Sequence, residues 1–230
     1  MSALIRVQDV HRTYRQGEID VHALRGVTVD LDKGEFTALA GPSGSGKTTL
    51  LNLIGCLDRP TQGRVLIEED VISEMTGTDA ANYRLQHIGF VFQAYNLIPV
   101  LTARENAEFI LQLRGVPPEV RKATVMPLLE RVGLLDMSER RPHELSGGQQ
   151  QRVAVVRALA AKPRLVLADE PTANLDGETS EALLDLMLEL NKELGVTFLF
   201  STHDSQVIER CRRVIRLRSG QLAQPDEGDA

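Results

Sequence analysis

The residues best suited to chemistry form the segment GPSGSGKT at 41–48, which has the pattern G-x-x-x-x-G-K-[ST] after an apolar run and before a helical pattern. Glycines at these positions let backbone N–H groups converge on a phosphate chain, and the helix N-terminus behind them adds its positive dipole end. Lys47 would reach the β- and γ-phosphates, and the Thr48 hydroxyl would hold Mg²⁺. An incidental Gly/Ser turn is the competing interpretation. The predicted ATP contacts are Gly41, Pro42, Ser43, Gly44, Ser45, Gly46, Lys47, Thr48 and Thr49.

A second chemical signal is the apolar run 165–168, which ends in Asp169 and Glu170. A central strand would place Asp169 at its carboxyl end beside the phosphate loop, where the carboxylate can hold the Mg²⁺ shell. Glu170 would then polarise a water molecule against the γ-phosphate. The alternative is an ordinary acidic turn after a strand, which the rigid Pro171 makes less attractive.

A third signal is LSGGQ at 145–149, which combines a serine hydroxyl, two glycines and a helix start. It predicts a second anion site, formed by Ser146, Gly147, Gly148 and Gln149. One bound nucleotide has only one γ-phosphate, so a second such site on the same chain is unexplained. We therefore expect a head-to-tail pair of chains, in which each LSGGQ segment closes the nucleotide site of the other chain.

The elements that must position these residues alternate between strands and helices. Apolar runs and alternation predict strands at 4–10, 21–32, 36–40, 64–67, 165–168 and 196–200. Helical spacing predicts a helix after the phosphate loop and helices at 105–113, 120–132, 149–162 and 179–194. The pattern turns helical from about 96 to 145, which indicates a helical subdomain inserted into an α/β core.

Composition limits the class of protein. The chain has 230 residues, a formal net charge of −6 and 4% aromatic residues, so a nucleic-acid binder is not expected. The two cysteines, Cys56 and Cys211, are far apart and indicate reduced thiols in a cytosolic protein. No apolar run approaches the ~18 residues of a membrane span, so we expect any membrane role to need a partner.

The motifs together resemble those of the ATPase subunit of ATP-binding-cassette (ABC) transporters, whose signature is LSGGQ, and the resemblance covers almost the whole chain. It implies a P-loop NTPase core with a mostly parallel central sheet, an N-terminal antiparallel β subdomain and an inserted α-helical subdomain. By this resemblance, 1–225 form one domain, with the core at about 1–95 and 150–225 and the helical signature subdomain at about 96–149. Residues 226–230 are expected to be a frayed acidic tail.

The resemblance also implies roles for residues that would carry little meaning alone. Gln93 matches a glutamine that senses Mg²⁺ and the permease, and His203 matches a histidine that contacts the γ-phosphate. Asp176 matches a loop that crosses the dimer interface. Tyr14 matches the aromatic residue that stacks on adenine. The competing interpretations are a structural histidine at 203 and a core or edge tyrosine at 14.

The strings NLIPVLTARENAEFILQLRGV and ADEPTANLD resemble the macrolide-exporter and lipoprotein-release group of cassettes, although Ala173 stands where that group more often has glycine. The resemblance implies a subunit on the cytoplasmic face of the bacterial inner membrane, with a permease docking near Gln93 and the helical subdomain. A cell-division cassette that regulates a membrane partner without transport remains the alternative. A chromosome-organising ATPase is not expected, because the interval between Lys47 and Asp169 lacks sustained heptads.

Overall fold

The computed structural model describes residues 3–223, apart from the side chain of Gln16. The chain divides into two compact units, Met1–Asn82 with Leu199–Ala230, and Tyr83–Phe198. The predicted tail at 226–230 lies outside the described residues. The boundaries predicted for the helical subdomain, 96 and 149, stay a prediction.

The described residues contain ten strands and seven α-helices. The strands are β1 (Ala3–Gln16), β2 (Ile19–Asp32), β3 (Phe36–Ala40), β4 (Gln62–Ile67), β5 (Asp70–Val71), β6 (Ile88–Phe92), β7 (Leu165–Asp169), β8 (Thr197–Thr202), β9 (Arg213–Arg218) and β10 (Gln221–Leu222). The helices are α1 (Lys47–Ile54), α2 (Gly77–His87), α3 (Ala103–Leu113), α4 (Pro118–Arg131), α5 (Gly147–Ala160), α6 (Gly177–Leu194) and α7 (Ser205–Arg210).

In the first unit, an antiparallel sheet has the strand order β2-β1-β4-β5 and is built around the long β1–β2 hairpin. Strand β1 continues well past its predicted end at residue 10. Asp9 lies at φ +47°, where the register shifts between Val7 and Val10. This bulge interrupts the alternation of inward and outward side chains, which is why the pattern stops early in the sequence.

The first unit also contains the strand that leads into the phosphate loop. All five residues of β3 are buried, as expected of a strand covered on both faces. Here the strand order is β10-β9-β3-β8, with β3 and β9 parallel. β3 ends at Ala40 and α1 begins at Lys47, so the predicted strand, loop and helix follow one another as the motif requires.

In the second unit, β6 and β7 are parallel neighbours, with Phe92 opposite Asp169. Helices α3, α4 and α5 share a buried apolar cluster that includes Ala107, Val125 and Val156. Each helix starts at a recognisable signal: a Thr102–Glu105 capping box begins α3, and Pro118 occupies the first turn of α4. The predicted α/β class with an antiparallel N-terminal sheet and a helical segment is therefore confirmed.

Several elements differ from the sequence-based expectation. Helix α5 begins at Gly147 rather than residue 149, because Ser146 already caps it. Neither α2 nor β9 was predicted. Helix α2 is largely polar, GTDAANYRLQH, so it lacks the spaced apolar residues that would reveal a helix.

Candidate nucleotide site

The loop between β3 and α1 requires glycine at two positions where it meets neighbouring backbone. A Cβ atom on Gly41 (φ +155°) would lie 2.2 Å from the Leu217 carbonyl oxygen, and one on Gly46 (φ +102°) would lie 2.6 Å from the Ala23 oxygen. Both approaches are too close for a real side chain. At Gly44, by contrast, a Cβ would meet nothing within 4 Å, so this part of the loop faces open space.

The start of α1 has the features of an anion site. Its N-cap is Gly46, no side chain caps the helix, and the first turn carries no acidic residue. The buried hydroxyl of Ser45 has no hydrogen-bond partner among the described residues. Uncapped N–H groups and an unpaired hydroxyl at a helix N-terminus favour a negatively charged ligand.

Lys47 places its ammonium group over this loop. The residue is only 7% exposed, and its Nζ donates to the carbonyl oxygens of Gly41 (2.8 Å) and Pro42 (3.2 Å). An ammonium group has three donors, so these two bonds hold the amine in place and leave a third donor for a phosphate oxygen. Thr48 and Thr49 lie in the first turn of the same helix.

Two other predicted contacts lie in the first unit. The Tyr14 hydroxyl donates to an Asp58 carboxylate oxygen at 2.8 Å, and the Arg12 guanidinium lies 4.4 Å from the centre of the Tyr14 ring. One face of this ring is therefore already covered by a cation, and the role of Tyr14 in stacking on adenine stays a prediction.

His203 is exposed and directly follows β8, the strand next to β3.

In the second unit, the register of β6 and β7 brings two predicted residues together. Phe92 pairs with Asp169, so Gln93 and Glu170 leave the sheet side by side at its carboxyl edge. Gln93 is exposed, whereas Asp169 and Glu170 are half-buried. Glu170 has φ +45°, the left-handed conformation that non-glycine residues adopt only where surrounding contacts enforce it.

The LSGGQ segment forms the N-terminus of α5. Ser146 Oγ accepts a hydrogen bond from the Gln149 N–H at 3.3 Å, and Gln149 Oε1 accepts one from the Ser146 N–H at 2.9 Å. Ser146 is exposed, and the first turn has no acidic residue. The hydroxyl proton of Ser146 remains able to donate, so the helix start can still bind an anion.

Asp176 is engaged by its own chain. Its carboxylate caps α6, accepting hydrogen bonds from the Thr179 N–H at 2.9 Å and the Thr179 hydroxyl at 2.8 Å. The backbone bond from Thr179, followed by the side-chain bond, lowers the pKa of Asp176 below its ordinary value. A role at a dimer interface stays a prediction for this residue.

Comparison with known proteins decides the family. The family model described as ABC transporter matches residues 24–173 of this chain. The chain belongs to the ABC transporter family. It is 48% identical to an uncharacterized ABC transporter ATP-binding protein of Thermotoga maritima, covering 96% of this chain and 94% of that protein.

Two named relatives refine the comparison. The lipoprotein-releasing system ATP-binding protein LolD 1 of Rhodopseudomonas palustris is 44% identical, over 97% of this chain and all of that protein. The macrolide export ATP-binding/permease protein MacB of Syntrophobacter fumaroxidans is 46% identical over 98% of this chain, which spans only 32% of that relative. A dimeric structure of the cassette MJ0796 bound to ADP and Pi, in a post-hydrolysis state, superposes with a TM-score of 0.88 at 41% identity, covering 96% of this chain and 97% of that one.

The chain is thus an ABC ATPase similar to the MacB and LolD cassettes, and it is the ATP-hydrolysing subunit of a membrane transporter. Within residues 3–223, none of the helices combines the length and the apolar character needed to cross a bilayer.

Sequence reasoning missed residues of this ABC ATPase that hold its motifs together. The Tyr95 hydroxyl lies against Gly147, where a Cβ would be 2.7 Å from it, and Asn174 Nδ2 donates to the Gln93 carbonyl at 2.9 Å. Arg157 donates to the carbonyls of Tyr95 and Asn96, both of which have positive φ. Of these residues, only Arg157, which lies within α5, could have been noticed in the sequence. The helical spacing around it does not identify its hydrogen-bond partners.

Gly148 provides a test of the signature segment. A Cβ on Gly148 would lie 2.4 Å from Thr179 Cγ2, so Gly148→Ala should lower the free energy of unfolding by ~1–3 kcal/mol through overpacking and reduce ATP hydrolysis. Thr179→Ser removes that methyl group and keeps the hydroxyl that binds Asp176. Adding it to Gly148→Ala should restore most of the stability in thermal unfolding and most of the ATPase rate. A double variant no better than Gly148→Ala would contradict this packing argument.

Proposed function

We propose that this ABC ATPase works as a head-to-tail pair, in which the phosphate loop of each chain and the LSGGQ segment of the other enclose one ATP. The observation that carries the proposal is that, among the described residues, the α1 and α5 N-termini have neither an acidic N-cap nor an acidic residue in the first turn, whereas α7 is capped by Asp204. Each of the α1 and α5 N-termini attracts a phosphate. The dimeric form of the related cassette MJ0796 supports the pairing.

In this proposal, the phosphate loop binds the nucleotide through its backbone N–H groups and Lys47. Several charge-assisted hydrogen bonds of roughly 1.5–3 kcal/mol each let a single chain bind ATP or ADP. Ser146, Gly147 and Gly148 of the second chain contact mainly the γ-phosphate. Hydrolysis removes that contact, so ADP lets the pair open. Tyr14 stacks on the adenine, and Asp176 approaches the other chain.

The hydrolytic step uses residues at the ends of the strands. Glu170 accepts the proton of the attacking water as general base, and His203 contacts the γ-phosphate. Thr48, Asp169 and Gln93 would hold Mg²⁺, partly through water. The Thr48 hydroxyl and the Asp169 carboxylate are oxygen donors, which suit Mg²⁺, since it is usually held by one or two carboxylates and substrate phosphates. When bound, Mg²⁺ neutralises charge that develops on the phosphates.

The permease docks beside Gln93. A mostly apolar cavity of about 220 Å³ in the second unit is lined by Ile88, Phe92, Phe109 and Ile110, with Asn96 and Arg157 at polar positions. Phe92 directly precedes Gln93, so an occupant of this groove lies next to a residue of the nucleotide site. We assign a permease helix as the occupant, and the MacB relative, whose name joins ATP-binding and permease functions in one chain, supports a permease as the partner. The ATPase is then held at the cytoplasmic face of the bacterial inner membrane and drives lipoprotein release or macrolide or peptide export.

Mixing two inactive variants tests the pairing. Ser146→Arg blocks the signature segment, and Lys47→Ala disables the phosphate loop, so each variant alone should be inactive. In a mixed pair both lesions fall in one site and the other site is intact. Activity up to about a quarter of wild type should return, because half of randomly formed pairs are mixed and each has one intact site.

The same variants separate this arrangement from a signature segment that serves its own chain. In that case, no mixed pair would contain an intact site. Isolated Ser146→Arg chains should also bind ATP with wild-type affinity, and a clear loss there contradicts the proposal. Ser146→Ala is the control: it removes the cap at a cost of about 1 kcal/mol without adding bulk, so part of the hydrolysis should survive.

A further inference from the structure

Gln151 is a buried amide that no motif explains. It lies in α5, two residues after the signature segment, and is 0% exposed. Its Nε2 donates to the carbonyl oxygens of Pro171 at 2.7 Å and Phe92 at 3.3 Å. Only the NH₂ end of the amide can face both carbonyls, because its oxygen would be repelled by them. One side chain therefore ties α5 to two separate segments.

Both segments adjoin residues proposed to act on the nucleotide. Phe92 directly precedes Gln93, and Pro171 directly follows Glu170. Glu170 has φ +45°, a conformation that persists only where neighbouring contacts enforce it. The hydrogen bond from Gln151 holds the carbonyl of the next residue, and proline itself has no N–H with which to anchor the segment.

The oxygen end of the Gln151 amide argues against a role in stability alone. Gln151 Oε1 is buried and has no hydrogen-bond partner among the described residues. An unpaired buried acceptor is destabilising. If this side chain only filled the space beneath α5, methionine or leucine would fill it without an unpaired acceptor. The two hydrogen bonds that Gln151 donates are therefore the feature that needs an explanation.

We infer that Gln151 is a positioning residue for ATP hydrolysis, which holds the backbone beside Gln93 and Glu170 in a fixed position relative to the signature helix. The inference rests on the proposed role of Glu170. It adds a direct mechanical connection: movement of the α5 N-terminus on engaging a phosphate is passed through one side chain to the segment that carries the general base.

The test compares Gln151→Met with a control in the same unit. Methionine has a similar size and no donor, so the Glu170 segment loses its anchor. We expect kcat to fall about 10- to 100-fold, the size of effect that a displacement of about 1 Å can have on a catalytic group. KM and the ATP affinity of the isolated chain should stay within about twofold, since the phosphate loop is untouched.

Asn191→Leu is the matched control. Asn191 is also a buried amide in a helix, 2% exposed, and its Nδ2 donates to the Val196 carbonyl at 2.6 Å, away from the strand ends that carry Gln93 and Glu170. This variant should lower the melting temperature and leave kcat per folded molecule unchanged. Wild-type kcat in folded Gln151→Met would overturn the inference.

Gln151→Glu adds the pH dependence of kcat as a test, because a purely structural role would not change it. A carboxylate cannot donate to the two carbonyls, but a protonated carboxyl group donates one hydrogen bond, and burial raises the pKa of such a group. The ratio of its kcat to that of wild type should therefore rise as the pH falls from about 8 to about 6. A ratio that does not change with pH counts against the inference.

Glu170→Gln, measured in parallel, tests the proposed role of Glu170 separately from the inference about Gln151. If it hydrolyses ATP at the wild-type rate, the proposed role of Glu170 fails whatever Gln151 does. If it is inactive while Gln151→Met is normal, only the inference about Gln151 fails. In the Glu170→Gln background, Gln151→Met should reduce the residual rate less than about twofold, because both changes act through the same group. A full further loss would indicate an independent structural effect.

Discussion

Replacing Lys47 by alanine should weaken ATP binding by roughly 10- to 150-fold, because the loop loses a charge-assisted hydrogen bond of roughly 1.5–3 kcal/mol to the phosphates. Lys47 is the cation that this loop holds in place, with its Nζ bonded to the carbonyls of Gly41 and Pro42. The loop's N–H groups remain, so residual affinity for phosphate should persist. Isothermal titration of the isolated chain with ATP measures the loss.

Lys33→Ala is the control for this prediction. Lys33 is an exposed lysine of the same unit, ion-paired with Glu68. Its replacement removes the same positive charge, but at a position outside the loop. It should bind ATP as the wild type does. Lys47→Ala also removes the two hydrogen bonds to the Gly41 and Pro42 carbonyls, so thermal unfolding without nucleotide is used to verify that the variant is folded. Unchanged ATP affinity in a folded Lys47→Ala variant would show that the phosphate site lies elsewhere.

Glu170→Gln should reduce the hydrolysis rate by about 10²–10⁴-fold, the usual contribution of a general base, and leave ATP binding intact. Glutamine keeps the size of the side chain and the left-handed backbone at this position, and removes only the proton acceptor. Because ATP then persists in the site, two chains should stay together. Single-turnover kinetics measure the rate, and size-exclusion chromatography with and without ATP measures the pairing.

Glu189→Gln is the matched control for Glu170→Gln. Glu189 is exposed on α6, and its substitution should alter neither the rate nor the elution volume. A Glu170→Gln variant that elutes as a monomer in saturating ATP would contradict the head-to-tail pair. One that hydrolyses ATP at the wild-type rate would assign the base to another residue.

Much of this ABC ATPase is visible in its sequence because the relevant signals are local. The phosphate loop joins β3 to α1 within a few residues, and apolar runs mark β3, β7 and β8. Caps at Ser146 and Asp176 act on N–H groups within the next turn of the chain. Propensity, periodicity and capping depend on neighbours in the sequence, so the motif positions and most of the longer strands and helices could be predicted without a structure.

The contacts that join these motifs were decided only by the tertiary structure. Gln151 bonds to Pro171 and Phe92, which are 20 and 59 residues away, and Tyr14 to Asp58, which is 44 residues away. Gly148 must lack a side chain because of Thr179 on another helix. A periodic pattern indicates which face of an element is buried, but it does not identify the residue that the face meets. Those partners are set by the packing of whole helices and strands, since dense packing leaves each buried group only the neighbours that folding brings to it.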